Sequence, residues 1–194
     1  MNIQIVEVGA RDGLQNEART LSPESRVRFI EHLAKSGLKR IEVGAFVSPK
    51  WVPQMDKSRE VIIELYRRRQ SFAKEVRFSA LVPNLKGMEA ALETPIEEVA
   101  VFGSCSESFS QRNINCSIAE SLERFKQVIQ VAKKAKRKVR GYLSMAFGCP
   151  YEGEVPEKRV LDLIEKYLKL GCFEVSIGDT IGVATPKQVR SMLK

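Results

Sequence analysis

KSGLKRIEVG, at residues 35–44, occurs again in similar form as KLGCFEVSIG, at residues 169–178. Each copy has the pattern of a helix end, a glycine, a short strand in which polar and apolar residues alternate, and a second glycine. The first glycine supplies the left-handed conformation that ends a helix and returns the chain to a sheet. Both stretches therefore predict the same helix-to-strand junction, which is the repeating feature of a parallel α/β sheet.

Strands and helices alternate along the rest of the chain, with short connections between them. Ser22 is a suitable N-cap for the first helix, and Pro23 suits its first position. Six strand–helix units in regular order predict parallel strands joined by right-handed crossovers. The predicted strands are residues 3–8, 39–43, 76–82, 97–102, 139–146 and 173–177, and the predicted helices are residues 23–36, 58–69, 85–92, 118–136, 157–170 and 186–193.

Two α/β architectures satisfy this alternation, the doubly wound sheet and the TIM (β/α)8-type barrel. The loop after the first strand, GARDG at residues 9–13, is not the glycine-rich phosphate fingerprint of a dinucleotide-binding sheet. Polar residues also collect at the carboxyl ends of the strands, so we predict the barrel. A complete barrel has eight units and about 250 residues. We therefore expect residues 1–194 to form a single incomplete catalytic domain with about six of the eight units.

The composition is that of an ordinary globular protein with a basic surface. The sequence has 32 Lys and Arg residues against 24 Asp and Glu residues, a net charge of +8. The basic run at residues 133–140 is not interleaved with aromatic residues, so we expect a solvated helix end and no nucleic-acid partner. A basic surface would also attract a substrate that carries phosphates.

Other sequence features exclude further classes of protein. No apolar run approaches the roughly 20 residues that span a bilayer, and Met1–Val8 has neither a basic leader nor an apolar signal core. We therefore expect a cytoplasmic protein with no membrane partner. His32, the only histidine, lies on the first predicted helix, away from the strand ends, so we expect no ligand role for it. The cysteines, which we expect to be reduced and partly buried, are Cys105, Cys116, Cys149 and Cys172.

Polar residues lie where the predicted strands end, the edge at which parallel α/β folds build their active sites. Glu42 alternates with the apolar residues Ile41 and Val43, so we expect its side chain on the inner, polar face of the second strand. The same alternation places Glu7, Gly9 and Arg11 on one face of the first strand. The other candidates are Asp12 after strand one, Arg140 and Tyr142 on strand five, Ser176 on strand six, and Asp179 and Thr180 after it.

Carboxylates inside a barrel need partners, and we expect Arg11 and Arg140 to pair with Glu7 and Glu42. Such pairs form either a structural ion-pair network or a support that presents one arginine to an anionic substrate. The sequence leaves both interpretations open. Asp12 is a hard oxygen donor suited to a divalent cation, but one carboxylate is not a metal site.

Seven stretches carry a resemblance that covers essentially the whole chain. They are IVEVGARDGLQNE at 5–17, FVSPKWVPQM at 46–55, PNLKG at 83–87, NINCS at 113–117, VRGY at 139–142, GCPYEG at 148–153 and GDTIG at 178–182. Together they resemble the N-terminal three-quarters of the 3-hydroxy-3-methylglutaryl-CoA lyase family. The RDG opening is shared with homocitrate and isopropylmalate synthases, whereas SPKWVPQM and GCPYEG are much more specific for the lyases.

This resemblance implies a retro-Claisen cleavage of 3-hydroxy-3-methylglutaryl-CoA to acetyl-CoA and acetoacetate, as in leucine degradation, with a divalent cation, Mg²⁺ or Mn²⁺, as cofactor. It implies that Arg11 stabilises the developing enolate oxygen, that Glu42 orients Arg11 or takes part in proton transfer, and that Asp12 is a metal ligand. It also implies an acyl-CoA substrate and a homodimer. The residues implied to contact the substrate are Gln15, Arg140, Tyr142, Ser176, Asp179 and Thr180.

The chain departs from the family pattern in one respect. The His-x-His pair, the later Asn ligand and the glycine-rich loop with a catalytic cysteine are not found in its 194 residues. Cys116 and Cys149 match family positions outside that loop, so we expect neither to be catalytic. With only one of the protein ligands present, we expect weak or no metal binding and no lyase activity from this chain alone.

Two other interpretations stay open. One is a synthase of the same superfamily that condenses acetyl-CoA with a keto acid, against which the SPKWVPQM stretch argues. The other is a non-catalytic partial barrel that serves as an interaction module, since the open edges of such a barrel would expose unpaired backbone and apolar side chains.

Overall fold

The computed structural model of the chain describes residues 4–193. They divide into two compact units. The first runs to residue 100 and includes residues 134–137, and the second comprises residues 101–133 and the chain from residue 138 onward. The prediction of a single domain stays a prediction, and each unit is described by itself.

The first unit is a parallel sheet with helices between its strands. Its strands are β1 (Val6–Glu7), β2 (Arg40–Ala45), β3 (Arg77–Leu81) and the start of β4 (Glu98–Ser104), and its helices are α1 (Pro23–Lys35), α2 (Ser58–Arg67) and α3 (Leu85–Leu92). Strand β1 is shorter than predicted, and Ile3, where the prediction began, lies outside the described residues. All six residues of β2 are buried, as expected for a parallel strand that is covered on both faces.

The second unit continues the same alternation. It contains the end of β4, the strands β5 (Lys138–Ser144) and β6 (Glu174–Ile177), the helices α4 (Glu107–Ile114), α6 (Glu157–Leu170) and α7 (Pro186–Met192), and α5 (Ile118–Lys134) except for its last residue. Strand β6 pairs with β5 in parallel, and Tyr142 lies opposite Ser176. Helix α4 was not predicted, because its sequence ESFSQRNI has little apolar periodicity. Ser106 caps it by accepting a hydrogen bond from the backbone N–H of Phe109.

The strand order distinguishes the two architectures that the sequence left possible. In the first unit the order is β1-β2-β3-β4, and in the second it is β4-β5-β6, so each strand lies beside its neighbour in sequence. A doubly wound sheet reverses direction at a switch point, whereas a barrel adds each strand next to the previous one. The six strands and the helices that follow them therefore have the arrangement of a (β/α)8-type barrel.

Glycines end two helices at the repeated junction, as the sequence predicted. Gly37 follows α1 with φ +97°, and Gly171 follows α6 with φ +115°. Helices α3 and α6 have the predicted bounds, and the other elements differ from prediction mainly at their ends. Among residues 4–193, no helix is both long enough and apolar enough to cross a membrane.

Candidate active site

A π-helical turn at Gly9–Gly13 places Arg11 in the first unit. The carbonyl oxygen of Val8 accepts hydrogen bonds from the backbone N–H groups of Arg11 (3.0 Å), Asp12 (2.7 Å) and Gly13 (3.4 Å). The alternation predicted for strand one is wrong at Arg11, because β1 ends at Glu7 and the turn sets the direction of the side chain. The turn buries Arg11 and leaves Asp12 exposed. Such turns are frequent at functional sites.

Glu42 lies beside an irregularity in the middle of the buried strand β2. It is opposite Ser79 of β3, whereas Gly44 is opposite Ala80, so the register shifts by one residue between them. A bulge of this kind redirects a side chain next to an active site. The carboxylate of Glu42 is fully buried and accepts a hydrogen bond from Nε of Arg11.

The guanidinium of Arg11 joins a buried carboxylate to an exposed one. Its Nη1 donates to Oδ1 of Asp12 at 2.7 Å, while its Nε donates to Glu42. A charge in a dry interior is tolerated only when it is paired and hydrogen-bonded, so these contacts confine Arg11 to one orientation. The pairing of Arg11 with Glu42 confirms one of the predicted ion pairs. This geometry is compatible with both interpretations of the pair, a structural ion pair and a support that presents Arg11 to an anionic substrate.

Arg26 supports the end of β2 from helix α1. It is 1% exposed and donates hydrogen bonds to the carbonyl oxygens of Asp56 (2.8 Å) and Val43 (3.4 Å) and to Oγ of Ser58 (3.2 Å). Burial lowers the pKa of Arg26 to about 10. Sequence reasoning missed this residue, although an arginine directly before Val27 on the apolar face of α1 was a usable signal.

A second buried ion pair of the first unit lies at the amino-terminal ends of β2 and β4. Nη2 of Arg40 lies 3.0 Å from Oε2 of Glu98, and its Nη1 donates to Gln4. Glu7, for which an arginine partner was predicted, accepts a hydrogen bond from the backbone N–H of Gly9. Specific hydrogen bonds and ion pairs therefore fix the polar side chains of these strands in place.

In the second unit, Arg140 is buried on β5 and pairs with the neighbouring strand. Its Nη1 lies 3.1 Å from Oε1 of Glu174, the residue opposite it on β6. The predicted partners were Glu7 and Glu42, so the partner that the structure shows was not foreseen. Nη2 of Arg140 is buried and has no hydrogen-bond partner among the described residues. Buried donors are nearly always paired, so this one is available to an anionic ligand.

Two more predicted residues stabilise loops after β5 and β6. Both carboxylate oxygens of Asp179 accept backbone hydrogen bonds, from Val183 (3.0 Å) and Ala184 (3.1 Å). Oγ1 of Thr180 accepts from the backbone N–H of Met145 at 2.8 Å. Met145 has φ +60°, which is a strained conformation for a residue other than glycine. These contacts are structural, and they leave a contact with substrate as a prediction.

The remaining predicted residues occupy less specific positions. Gln15 is half-buried just after the π-helical turn, and Tyr142 and Ser176 are half-buried on their strands. His32 is exposed on α1.

The described residues do not fit a complete divalent-metal site. Among residues 4–193, no group of three or more His, Cys, Asp or Glu side chains could hold a metal ion. The side chain of Asp12 is 54% exposed, and its Oδ1 is already held by the cationic Arg11. One carboxylate beside a guanidinium does not make a metal site.

The cysteines lie in the second unit as free, buried thiols. Burial raises the pKa of Cys105 and of Cys172 to about 12. Sγ of Cys149 lies 3.0 Å from Oγ of Ser106. A reactive cysteine has a lowered pKa and access to solvent, so Cys105 and Cys172 are not activated nucleophiles.

The GCPYEG stretch at residues 148–153 is held against α4. The ring of Tyr151 stacks on Phe109, with centroids 6.5 Å apart, and the guanidinium of Arg112 lies 4.3 Å from the Tyr151 ring centroid. Glu152 accepts a hydrogen bond from the backbone N–H of Ser108, which holds the pKa of that carboxyl below its ordinary value. This lyase-specific stretch therefore has a packing role at the end of β5.

Comparison with known proteins decides the family. The family model described as HMGL-like matches residues 2–194. The chain belongs to the HMGL-like family. It is 50% identical over 192 residues to the 3-hydroxy-3-isohexenylglutaryl-CoA/hydroxymethylglutaryl-CoA lyase of Pseudomonas aeruginosa, covering 99% of this chain and 62% of that protein. It is 47% identical over 191 residues to the human mitochondrial hydroxymethylglutaryl-CoA lyase, covering 98% of this chain and 57% of that protein.

A solved structure supports the HMGL-like assignment. The HMG-CoA lyase from Acinetobacter baumannii, in complex with coenzyme A and 3-methylmalate, superposes with a TM-score of 0.89 at 34% identity, covering 98% of this chain and 61% of that one. The family and barrel predictions are thereby confirmed. The chain spans about six-tenths of the length of the HMGL-like proteins it matches, less than the three-quarters expected from six of eight barrel units.

Proposed function

We propose that this protein is a carbon–carbon lyase that cleaves 3-hydroxy-3-methylglutaryl-CoA, or a close acyl-CoA homologue, to acetyl-CoA and a keto acid. The observation that carries the proposal is the buried Arg11–Glu42 pair, whose arginine follows the carboxyl end of β1, in an HMGL-like chain that is 50% identical to a lyase of Pseudomonas aeruginosa. Parallel α/β proteins place their catalytic groups at that edge.

The proposed reaction breaks one carbon–carbon bond, between C2 and C3 of the acyl group. A base removes the proton of the C3 hydroxyl, and the alkoxide collapses to the ketone of acetoacetate. The C2–C3 bond breaks, and its electron pair moves onto the thioester as the enolate of acetyl-CoA. Protonation of C2 of this enolate then gives acetyl-CoA, which is released. The demanding species is the enolate oxygen, which needs a positive group that is already in place before the bond breaks.

Arg11 is the proposed group for this task. Its guanidinium is fixed by Glu42 and Asp12, so it needs no reorganisation when charge develops. A preorganised donor of this kind contributes about 3–4 kcal/mol to lowering the barrier. Glu42 acts as a positioning residue for Arg11, and a part for it in proton transfer belongs to the same proposal.

The proposed substrate contacts are those of the sequence prediction. Arg140 has the strongest support, because it offers a buried donor to a carboxylate or thioester oxygen. Gln15, Tyr142, Ser176, Asp179 and Thr180 complete the proposed set. Asp12 is the proposed contribution of this chain to a divalent-cation site, a cofactor that supplies Lewis-acid polarisation when it is bound.

The test uses the native protein as it occurs in the cell, because we expect no lyase activity from residues 1–194 alone, and supplies it with 3-hydroxy-3-methylglutaryl-CoA and a divalent cation. Acetyl-CoA and acetoacetate are measured together by mass spectrometry. We expect equal amounts of both, and a fall of about 10²–10³ in kcat for Arg11→Met. Conversion without acetoacetate, or a variant as active as wild type, contradicts the proposal. Release of coenzyme A from acetyl-CoA and a keto acid would instead identify a synthase.

Cellular location and assembly belong to the same proposal. We propose a cytoplasmic homodimer that takes an acyl-CoA as its small-molecule partner. Fractionation of cells and light scattering of the purified protein test these two points. Enrichment in an organelle or a monomer at micromolar concentration would overturn them separately.

A further inference from the structure

Trp51 is the most exposed of the large apolar side chains that the structure describes. Its side chain is 86% exposed in the loop that joins β2 to α2. The loop carries the SPKWVPQM stretch, residues 48–55, which the proposed chemistry does not use. An indole exposed to this degree is unusual, because tryptophan is among the residues that gain most from burial.

The exposure is built into a well-anchored loop. The backbone N–H groups of Trp51 and Val52 both donate to the carbonyl oxygen of Ser48, at 3.0 and 3.1 Å. Met55 anchors the far end in the core at 2% exposure, and the carbonyl oxygen of Asp56 accepts from Arg26. The backbone is therefore held on both sides of the indole.

The loop lies beside the segment that follows the candidate catalytic arginine. Nε2 of Gln54 donates to the carbonyl oxygen of Glu17 at 2.8 Å. Residue 17 comes shortly after the turn that carries Arg11 and Asp12, and β2, which precedes the loop, carries Glu42. Trp51 is thus presented at the carboxyl end of the strands in the first unit.

The surroundings of Trp51 favour a flat, charged ligand over a protein. A stable protein interface needs about 1,000 Å² or more with an apolar centre. The other exposed large apolar residues of this unit, Ile5 and Phe29, lie on the segment before β1 and on α1. Lys50, the residue before Trp51 in the sequence, is also exposed. An isolated indole beside a cation suits a nucleobase, which stacks on it, and a phosphate, which pairs with the cation.

We propose that Trp51 stacks on the adenine ring of the acyl-CoA and that Lys50 contacts one of its phosphates. The inference rests on the proposed function, since coenzyme A is a phosphorylated adenosine joined to the pantetheine thiol. Trp51 and Lys50 then hold the part of the substrate that does not react. They favour coenzyme A thioesters over thioesters of pantetheine alone.

Trp51 also provides the readout, because it is the only tryptophan in the 194-residue sequence. We would titrate the protein with coenzyme A, with adenosine 3′,5′-bisphosphate and with pantetheine while following its fluorescence. The two adenine ligands should cause saturable quenching, and pantetheine should cause none. Trp51→Phe supplies the blank. Equal quenching by pantetheine, no quenching, or emission that shifts to the blue with protein concentration alone would overturn the inference.

Kinetics separate this inference from the proposed function. Trp51→Ala should raise KM for 3-hydroxy-3-methylglutaryl-CoA about 10-fold with kcat unchanged, and should leave cleavage of the pantetheine thioester unaffected. Lys50→Ala should raise the same KM by a smaller factor. Lys74→Ala, an exposed lysine just before β3 at the opposite ends of the strands, is the matched control. An unchanged KM with normal cleavage refutes the stacking alone, whereas no cleavage of either thioester refutes the lyase and leaves the titration to decide the stacking.

Discussion

Strands β2 and β6 belong to the repeated junction in the sequence, yet they lie in different environments. All six residues of β2 in the first unit are buried, whereas all four residues of β6 in the second unit are partly exposed. The exposed large apolar side chains show the same contrast among the described residues. Three lie in the first unit (Ile5, Phe29 and Trp51) and the other eight, from Tyr151 to Leu193, lie in the second.

This difference in burial affects the strength of the ion pairs in each unit. Arg11 and Glu42 meet where water is excluded, so their mutual attraction is strong and their orientation is fixed. Arg140 pairs with Glu174, a carboxylate that is 37% exposed and partly screened by solvent. We infer that ion pairs of the first unit contribute to both fold and chemistry, while those of the second contribute less to the fold.

The largest expected effect comes from breaking the buried pair of the first unit. Glu42→Ala leaves the Arg11 guanidinium in a dry site without this carboxylate, and we expect a loss of about 3–5 kcal/mol in the free energy of unfolding. Urea denaturation followed by circular dichroism measures it. The matched variant is Glu174→Ala in the second unit, for which we expect about 1 kcal/mol: Arg140 is as buried as Arg11, but Glu174 is 37% exposed, so water reaches the position that its carboxylate leaves. Equal losses in the two variants would remove the contrast between the units.

Replacing the whole pair separates stability from chemistry. In the double variant Arg11→Met with Glu42→Leu, apolar side chains of similar size fill the site, and we expect unfolding within about 2 kcal/mol of wild type. Lyase turnover should still fall by about 10²–10³, since the proposed enolate stabilisation is gone. Measured stability and kcat of this variant decide between the two interpretations of the pair. A stable double variant with wild-type kcat would show that the pair is structural only.

The sequence was sufficient for the repeating parts of the molecule. The glycine junctions at residues 37 and 171, the Ser22 cap and the bounds of α6 were predicted from local signals, and the structure confirms each of them. The candidate pair Arg11–Glu42 was also predictable, because a carboxylate that alternates with apolar residues in a strand needs a cation.

What the sequence could not provide depends on contacts between distant segments. The π-helical turn at residues 9–13 contradicts the alternation expected for strand one, and no propensity distinguishes it from a strand end. The partners predicted for Arg140 were wrong, because packing of the whole sheet sets the register that places Glu174 opposite it. Arg26 was missed because its acceptors, Val43, Asp56 and Ser58, come from far along the chain.

A smaller effect should come from the strained turn after β5. Thr180→Val keeps the shape of the side chain but removes the oxygen that accepts from the backbone N–H of Met145, which is held at φ +60°. We expect a loss of about 1 kcal/mol in the free energy of unfolding and a rise in KM. Thr180→Ser keeps the hydroxyl and serves as the control. If the valine and serine variants behaved alike in urea denaturation, the hydroxyl would not be holding the turn.

The smallest effect is a pH dependence that belongs to the second unit, which contains all four cysteines. Burial raises the pKa of Cys105 and Cys172 from 9.0 to about 12, so the folded chain keeps two protons that the unfolded chain loses as the pH passes 9. Their contribution to stability is therefore complete below pH 9 and is lost as the pH rises toward 12. The urea midpoint should fall from pH 9 to pH 10.5, and less steeply in Cys105→Ala with Cys172→Ala. Iodoacetamide at pH 8 should modify these thiols only in urea, because the thiolate is the reactive form. Alkylation of the native protein at the rate seen in urea would mean that the second unit opens to solvent far more readily than its buried thiols imply.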